Sequence, residues 1–99
     1  MTVKQIVKFS EAFGDDYGQF YRIKEHKPSS RMDLCAFIKL DSMVEPSYKN
    51  EDIVTASEHD EFYLSPDMYK FAEVATEADV LYLIRCGVMF SEEGMSMFA

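Results

Sequence analysis

The stretch EHDEFYLSPD, residues 58–67, holds the densest group of side chains that could perform chemistry. No Lys or Arg interrupts it, and its ionisable members include Glu58, His59, Asp60, Glu61 and Asp67. Carboxylates and an imidazole can ligate a metal or exchange protons, so a metal or hydrolytic site is one interpretation. Consecutive residues of a strand or turn point in different directions, however, and the only other histidine, His26, belongs to no HExxH or CxxC pattern. We therefore expect neither a metal site nor a cofactor.

A catalytic nucleophile is not indicated either. The expected loops contain Ser29, Ser30, Ser42 and Ser47, and no GxSxG pattern surrounds them. Cys35 is expected in an apolar strand and Cys86 lies in an apolar run, so both are predicted to be reduced core thiols, although the sequence leaves a disulfide between them open. The four glycines stand singly and form no phosphate-binding loop. These patterns predict a protein that is not an enzyme.

Negative charge is distributed unevenly along the chain. The formal net charge is −8. Residues 1–49 contain eight basic and seven acidic side chains, whereas residues 50–99 contain eleven acidic side chains and only two basic ones, Lys70 and Arg85. The net negative charge therefore lies in the second half, a pattern that bears on partners and solubility rather than on fold.

The carboxylates between residues 51 and 79 fall into two groups. Asp67, Glu77 and Asp79 are expected in the first turns of helices, where the helix dipole stabilises an acid. The other six have no such explanation, and they are Glu51, Asp52, Glu58, Asp60, Glu61 and Glu73. They are interpreted either as a solvated, solubility-promoting face or as a surface for a basic partner, with Tyr63 as an additional contact residue.

Two functional hypotheses from different classes follow. In the first, the acidic second half occludes the basic nucleic-acid-binding groove of a larger protein, because an array of carboxylates can imitate phosphates. Small acidic proteins without catalytic motifs serve phages in this way against host enzymes, so an inhibitor of the anti-CRISPR or anti-restriction type is expected. In the second, the chain is a structural or accessory subunit that binds through apolar contacts, at a hairpin edge or at its Met-rich C-terminal end.

Direct binding to nucleic acid and to membranes is not expected. The segment TEADVLYLIRC begins with two acids and offers only Arg85 to a phosphate. No stretch approaches the roughly 20 apolar residues that span a bilayer, and the first residues do not resemble a signal peptide. We expect a cytoplasmic protein, in the host cytoplasm if a phage encodes it.

The positions of these side chains depend on the elements that carry them, and an α+β fold is predicted. Residues 1–99 are expected to form one compact domain with an antiparallel sheet, about three helices and a C-terminal hairpin. Thr2 and Gly14 bound a first helix. The runs QFYRIKE (19–25) and LCAFIKL (34–40) are predicted to form an antiparallel strand pair, and DIVTAS (52–57) and EFYL (61–64) two shorter strands with EHD as their turn.

Helix signals are clearest in the remaining third of the chain. Ser65, Pro66 and Asp67 suit an N-cap, a first-turn proline and an acid at a helix start. Thr76 with Asp79 forms a capping-box pattern for a second, largely apolar helix that ends at Gly87. The runs VMFS and MSMF flank EEG and predict the closing hairpin, with Gly94 supplying a positive φ.

Overall fold

Residues 1–98 are described by a computed structural model, and they form four α-helices, four β-strands and two short 3₁₀ turns. The helices are α1 (Val3–Ala12), α2 (Met32–Met43), α3 (Met68–Val74) and α4 (Glu77–Arg85), and the 3₁₀ turns are Gly14–Asp16 and Phe20–Arg22. The strands are β1 (Val54–Glu58), β2 (Glu61–Leu64), β3 (Val88–Ser91) and β4 (Gly94–Phe98). They form one antiparallel sheet in the order β1-β2-β4-β3. The predicted α+β class with its C-terminal hairpin is confirmed, with four α-helices where about three were predicted.

Helix α4 lies at the centre of the hydrophobic core. Val80 and Leu83 are fully buried and Ile84 nearly so, because the helix packs against α1, β3 and both 3₁₀ turns. The helix ends at Arg85, and Gly87, two residues later, redirects the chain with a φ of 89° that is readily adopted only by glycine. A Cβ added at Gly87 would also lie 3.3 Å from Met32 Cε, so this position is restricted by packing as well.

The predicted helix starts are confirmed with one shift in position. Thr2 with Gln5, and Thr76 with Asp79, form capping boxes at the starts of α1 and α4. Ser65 does not cap α3; the cap is Asp67, whose Oδ1 accepts hydrogen bonds from the backbone N–H of Tyr69 and Lys70 at 2.8 and 3.1 Å. The Ser65 N–H donates instead to the Ile53 carbonyl at 2.6 Å and extends the β1–β2 pairing.

The predicted strand at 34–40 is wrong, because these residues belong to α2. The run is apolar on nearly every side, so it lacks the alternation or the clear helical stripe that separates a strand from a buried helix. Phe37 and Ile38 favoured a strand by their intrinsic preference, but burial of Cys35, Ala36 and Leu40 decides the conformation. Helix α2 lies on the covered face of the sheet, where the Phe37 ring meets the Phe62 ring edge-on at 6.2 Å between centroids.

The predicted strand at 19–25 is also wrong, because this segment holds a 3₁₀ turn and irregular chain. The Asp16 carboxylate anchors it through ion pairs with two arginines. Arg22 Nη1 lies 2.9 Å from Asp16 Oδ1, and Arg85 Nε from α4 lies 3.4 Å from the same oxygen. Arg85 also donates to the Arg22 carbonyl at 3.2 Å. The carboxylate therefore joins the N-terminal segment to the end of α4.

The sheet has one covered face and one open face. Leu64, Val88, Met95 and Met97 point into the core and are buried. Tyr63 lies opposite Ser96, and Ser96 lies opposite Met89, so these side chains share the open face. The alternation along β2 and β4 thus divides a core surface from a surface that faces solvent.

Replacing Asp16 with Asn should destabilise the protein at neutral pH and change its response to acid. The hydrogen bond from Arg22 is the main cause that lowers the pKa of Asp16 below 3.8, and Arg85 lowers it further, although desolvation opposes the shift. A lowered folded-state pKa stabilises the fold above the unfolded-state value, and this contribution is lost as the pH falls through the folded-state pKa. Urea unfolding at neutral pH and at pH values below 3.8 measures it. The matched control is Asp15→Asn, an exposed neighbour. An equal deficit of the Asp16 variant at both pH values would contradict the assignment.

Replacing Thr76 with Ala should lower the free energy of unfolding by about 1 kcal/mol. The Thr76 hydroxyl accepts a hydrogen bond from the Asp79 N–H, and in the Ala variant this N–H would have no side-chain acceptor. Chemical denaturation checks the size of the effect. Thr76→Ser keeps the hydroxyl and should retain most of the stability. If Ser and Ala were equally destabilising, the loss would come from packing of the methyl group and not from the cap.

Candidate functional site

The acidic stretch singled out in the sequence forms the tip of the β1–β2 hairpin. Glu61 begins β2 as predicted, and His59 and Asp60 form the turn, but Glu58, which was predicted in the turn, ends β1, whose bounds are Val54–Glu58 instead of 52–57. His59 has a φ of 56°, the left-handed region that a non-glycine residue seldom adopts. All five residues of β1 are exposed, so the hairpin projects beyond the core. The residues of β1 are therefore held in place by backbone pairing with β2 more than by burial.

Like charges lie directly opposite each other in this hairpin. Glu58 pairs with Glu61 in the strand register, and residues opposite each other share a face, so two carboxylates are neighbours across the ladder. Tyr63 lies on the same face two residues after Glu61. The charge of Glu61, followed by partial desolvation and the charge of Glu58, raises the pKa of Tyr63 above 10.0, because phenolate formation is opposed by the negative field. The open face near the tip is therefore negatively charged.

The seven predicted partner-binding residues do not form one cluster. Glu58, Asp60, Glu61 and Tyr63 meet at the hairpin tip. Glu51 and Asp52 precede β1 and lie at the opposite end of the strand. The half-buried Glu51 carboxylate accepts from the Ser47 N–H at 3.2 Å and orders the loop before the hairpin. Glu73 is exposed on α3, a different element.

The acids with structural roles differ from those at the hairpin tip. Asp79 caps α4 and lies 2.8 Å from Lys39 Nζ of α2; desolvation opposes the effect, but the bonds from Lys39 and Thr76 lower the pKa of Asp79 below 3.8. In residues 1–98 no Lys or Arg lies within 4.0 Å of a carboxylate oxygen of Glu58, Asp60 or Glu61. The nearest cationic group there is the exposed His59 ring, 3.8 Å from Glu58 and charged only when protonated.

The open face also forms a concave surface with a volume of about 520 Å³. Glu61 and Tyr63 of β2, Met89 of β3 and Ser96 of β4 line it. Glu93 from the turn between β3 and β4 lines it too, and sequence reasoning treated this residue only as part of a turn. The acidic EEG turn was a signal that could have identified it, but only the sheet order brings the second hairpin beside the first.

The remaining residues that could perform chemistry are the possible metal ligands and the two thiols. Residues 1–98 contain no group of three or more His, Cys, Asp or Glu side chains that could hold a metal. Cys35 and Cys86 are both buried and free, with Cys35 on α2 instead of the predicted strand. Desolvation, with a smaller effect of Cys35, raises the pKa of Cys86 to about 12, so this thiol remains protonated and unreactive. Among the described helices, none is long and apolar enough to span a bilayer.

The methionines of β4 do not form a contact surface, whereas Met89 of β3 lines the open face. Met95 and Met97 are buried at 2% and 4% exposure, and they fill the core beneath the sheet. The exposed aromatic side chain at this end is Phe98, whose ring meets the Tyr17 ring edge-on at 6.3 Å. The Met-rich end therefore contributes to stability and leaves the open face as the accessible surface of β4.

Comparison with known proteins does not add to this description. No protein-family model, curated protein or solved structure matches the chain.

Replacing Glu61 with Lys should raise the free energy of unfolding by up to about 1 kcal/mol, because it turns a repulsive cross-strand pair with Glu58 into an attractive one. Thermal and urea unfolding at low salt measure the change, which should shrink as salt is added. Glu61→Gln removes the repulsion without adding attraction, so its free energy of unfolding should lie between those of the native protein and the Lys variant. A destabilised Lys variant would show that Glu61 has a structural role that the register does not reveal.

Proposed function

We propose that this protein is a non-enzymatic acidic binding protein that occludes the basic nucleic-acid-binding surface of a larger protein. The observation that carries the proposal is the hairpin tip, where Glu58, Asp60 and Glu61 are brought together beside Tyr63 without a Lys or Arg partner in residues 1–98. Repulsion among these carboxylates opposes folding, so we expect a partner protein to supply the positively charged groups that compensate them.

The chemistry of such a surface suits a groove that normally holds phosphates. Lys and Arg side chains that contact phosphate oxygens can form charge-assisted hydrogen bonds with carboxylates instead. Tyr63 adds an apolar ring with a polar tip at 37% exposure, the kind of side chain that supplies affinity where charge supplies steering. Glu93 extends the negative surface across the concave face. Association with a basic groove should be fast and sensitive to salt.

An inhibitor of the anti-CRISPR or anti-restriction type is the class that fits this proposal. Such a protein needs no catalytic group, because it acts by denying nucleic acid access to its binding site. A small chain of 99 residues with net charge −8 is sufficient for that task. The partner is then a host nucleic-acid-binding complex, and the site of action is the cytoplasm.

A second candidate function has an observation of its own. Leu34 and Ile38 are each 42% exposed and lie four residues apart on α2, so they form an apolar stripe on its outer side. An accessory subunit could dock through this stripe, with the acidic residues serving solubility. This candidate predicts binding that depends on α2 and is insensitive to charge at the hairpin.

The double variant Asp60→Lys with Glu61→Lys should lose partner binding and keep its fold. Tagged protein is incubated with bacterial lysate at two salt concentrations, with and without competing duplex DNA, and bound proteins are identified by mass spectrometry. We expect a nucleic-acid-binding protein that salt or DNA displaces and that the double variant does not recover.

The matched control is Glu11→Lys with Asp41→Lys, which changes the net charge equally at exposed positions on α1 and α2. It should recover the same partner. Equal loss in both double variants would mean that net charge alone matters. A partner that is indifferent to salt, to DNA and to the hairpin variant, and that is lost with Ile38→Ser, would replace the proposal with the accessory subunit.

A further inference from the structure

Strand β1 is an unpaired edge of the sheet. The order β1-β2-β4-β3 gives it one neighbour, β2, and all five of its residues are exposed. Half of the backbone N–H and C=O groups of such a strand point away from its neighbour and can pair with another extended chain. The opposite edge is different, because α1 and α4 pack against β3. Of the two edges, β1 is the one whose residues are all exposed, whereas β3 is exposed only at Ser91.

The composition of β1 does little to prevent pairing. Edge strands are commonly protected by Lys, Pro or a bulge. VTASE contains no Lys or Pro, and a register shift between Val54 and Ala56 is its one protective feature. The ladder is regular over residues 56–58, next to the acidic tip. An added strand would therefore pair along this half of β1 and bring its side chains beside Glu58.

Charge selects the occupant of this edge. Residues 50–69 contain no Lys or Arg and include six carboxylates, so the edge lies in a uniformly negative region. A second copy of the chain, with net charge −8, would place like charges together and is disfavoured. An extended basic segment has the complementary charge. Lys or Arg at alternate positions would lie on the same face as Glu58, and Glu61 is one strand further, about 4.8 Å away.

We infer that β1 binds an extended segment with Lys or Arg at alternate positions by strand addition. This inference rests on the proposed function and specifies it: the partner contributes a flexible basic strand, and main-chain hydrogen bonds to β1 supply affinity that the carboxylates alone lack. The Lys or Arg side chains at alternate positions of the bound segment face Glu58 and Glu61, which explains the preference for a basic segment.

The test uses a short peptide of alternating lysine and threonine and the ¹⁵N-labelled full chain. Two further peptides carry N-methyl groups, one on every lysine nitrogen and the other on every threonine nitrogen. In an extended strand these two sets of N–H groups point to opposite edges, and only one edge can face β1. We expect the unmethylated peptide to slow amide exchange in β1, and one methylated peptide to bind at least about tenfold more weakly while the other binds normally.

The other outcomes separate this inference from the proposed function. If both methylated peptides bind as well as the parent, strand addition is overturned while a charge-based surface stands. If a glutamate-threonine peptide binds equally well, the preference for a basic segment is overturned. If the parent peptide changes no resonance of β1, strand addition is overturned, and the lysate experiment with its hairpin variants decides the proposed function by itself.

A variant of the edge provides a second readout. Ala56→Lys adds a cation to an exposed edge residue, so it should weaken binding of the lysine-threonine peptide with the fold intact. Ala12→Lys adds the same charge at the exposed end of α1 and should leave peptide binding unchanged. Equal weakening by both variants would overturn β1 as the binding site.

Discussion

Burial of α4 is the constraint on which the other elements depend. Its apolar side chains contact α1, the 3₁₀ turns and β3, so each of these elements is placed by the need to cover this helix. Its two ends carry the polar contacts that set its position. Asp79 at the start joins it to α2 through Lys39, and Arg85 at the end joins it to the N-terminal segment through Asp16. The sheet packs beneath with Met95 and Met97, and the β1–β2 hairpin extends from this assembly with little burial of its own.

The same arrangement divides the carboxylates by what they do. Asp16 and Asp79 have cations as partners, and Asp67 lies at the N-terminus of α3, so the charge of each is compensated. Glu58 and Glu61 face each other across a ladder, where like charges repel. A surface of this kind contributes nothing to the stability of the isolated chain. Its geometry is maintained by backbone pairing, so we expect side chains at the tip to tolerate a change of charge without loss of the fold.

Local signals in the sequence were sufficient for several elements and insufficient for others. The capping boxes at Thr2 and Thr76 fix helix starts through contacts within three residues, so they can be identified without tertiary information. The β1–β2 and β3–β4 hairpins are likewise local, because a short turn sets each register. Residues 34–40 lack a local signal: all their side chains except Lys39 are apolar, and burial of Cys35, Ala36 and Leu40 in the core favours the helix that they form.

For the candidate site, the sequence by itself determined the excess of acid in the second half, the hairpin that carries Glu58, Asp60 and Glu61, and the absence of Lys and Arg from residues 50–69. Only the tertiary structure decided which acidic side chains lie on the same surface. It joined the two hairpins through β2 and β4, brought Glu93 to the same concave surface as Glu61 and Tyr63, and left Glu73 and Glu51 elsewhere. The physical reason is that charge and turn chemistry are properties of neighbouring residues, whereas the pairing of distant strands follows from burial of the apolar side chains on their covered face.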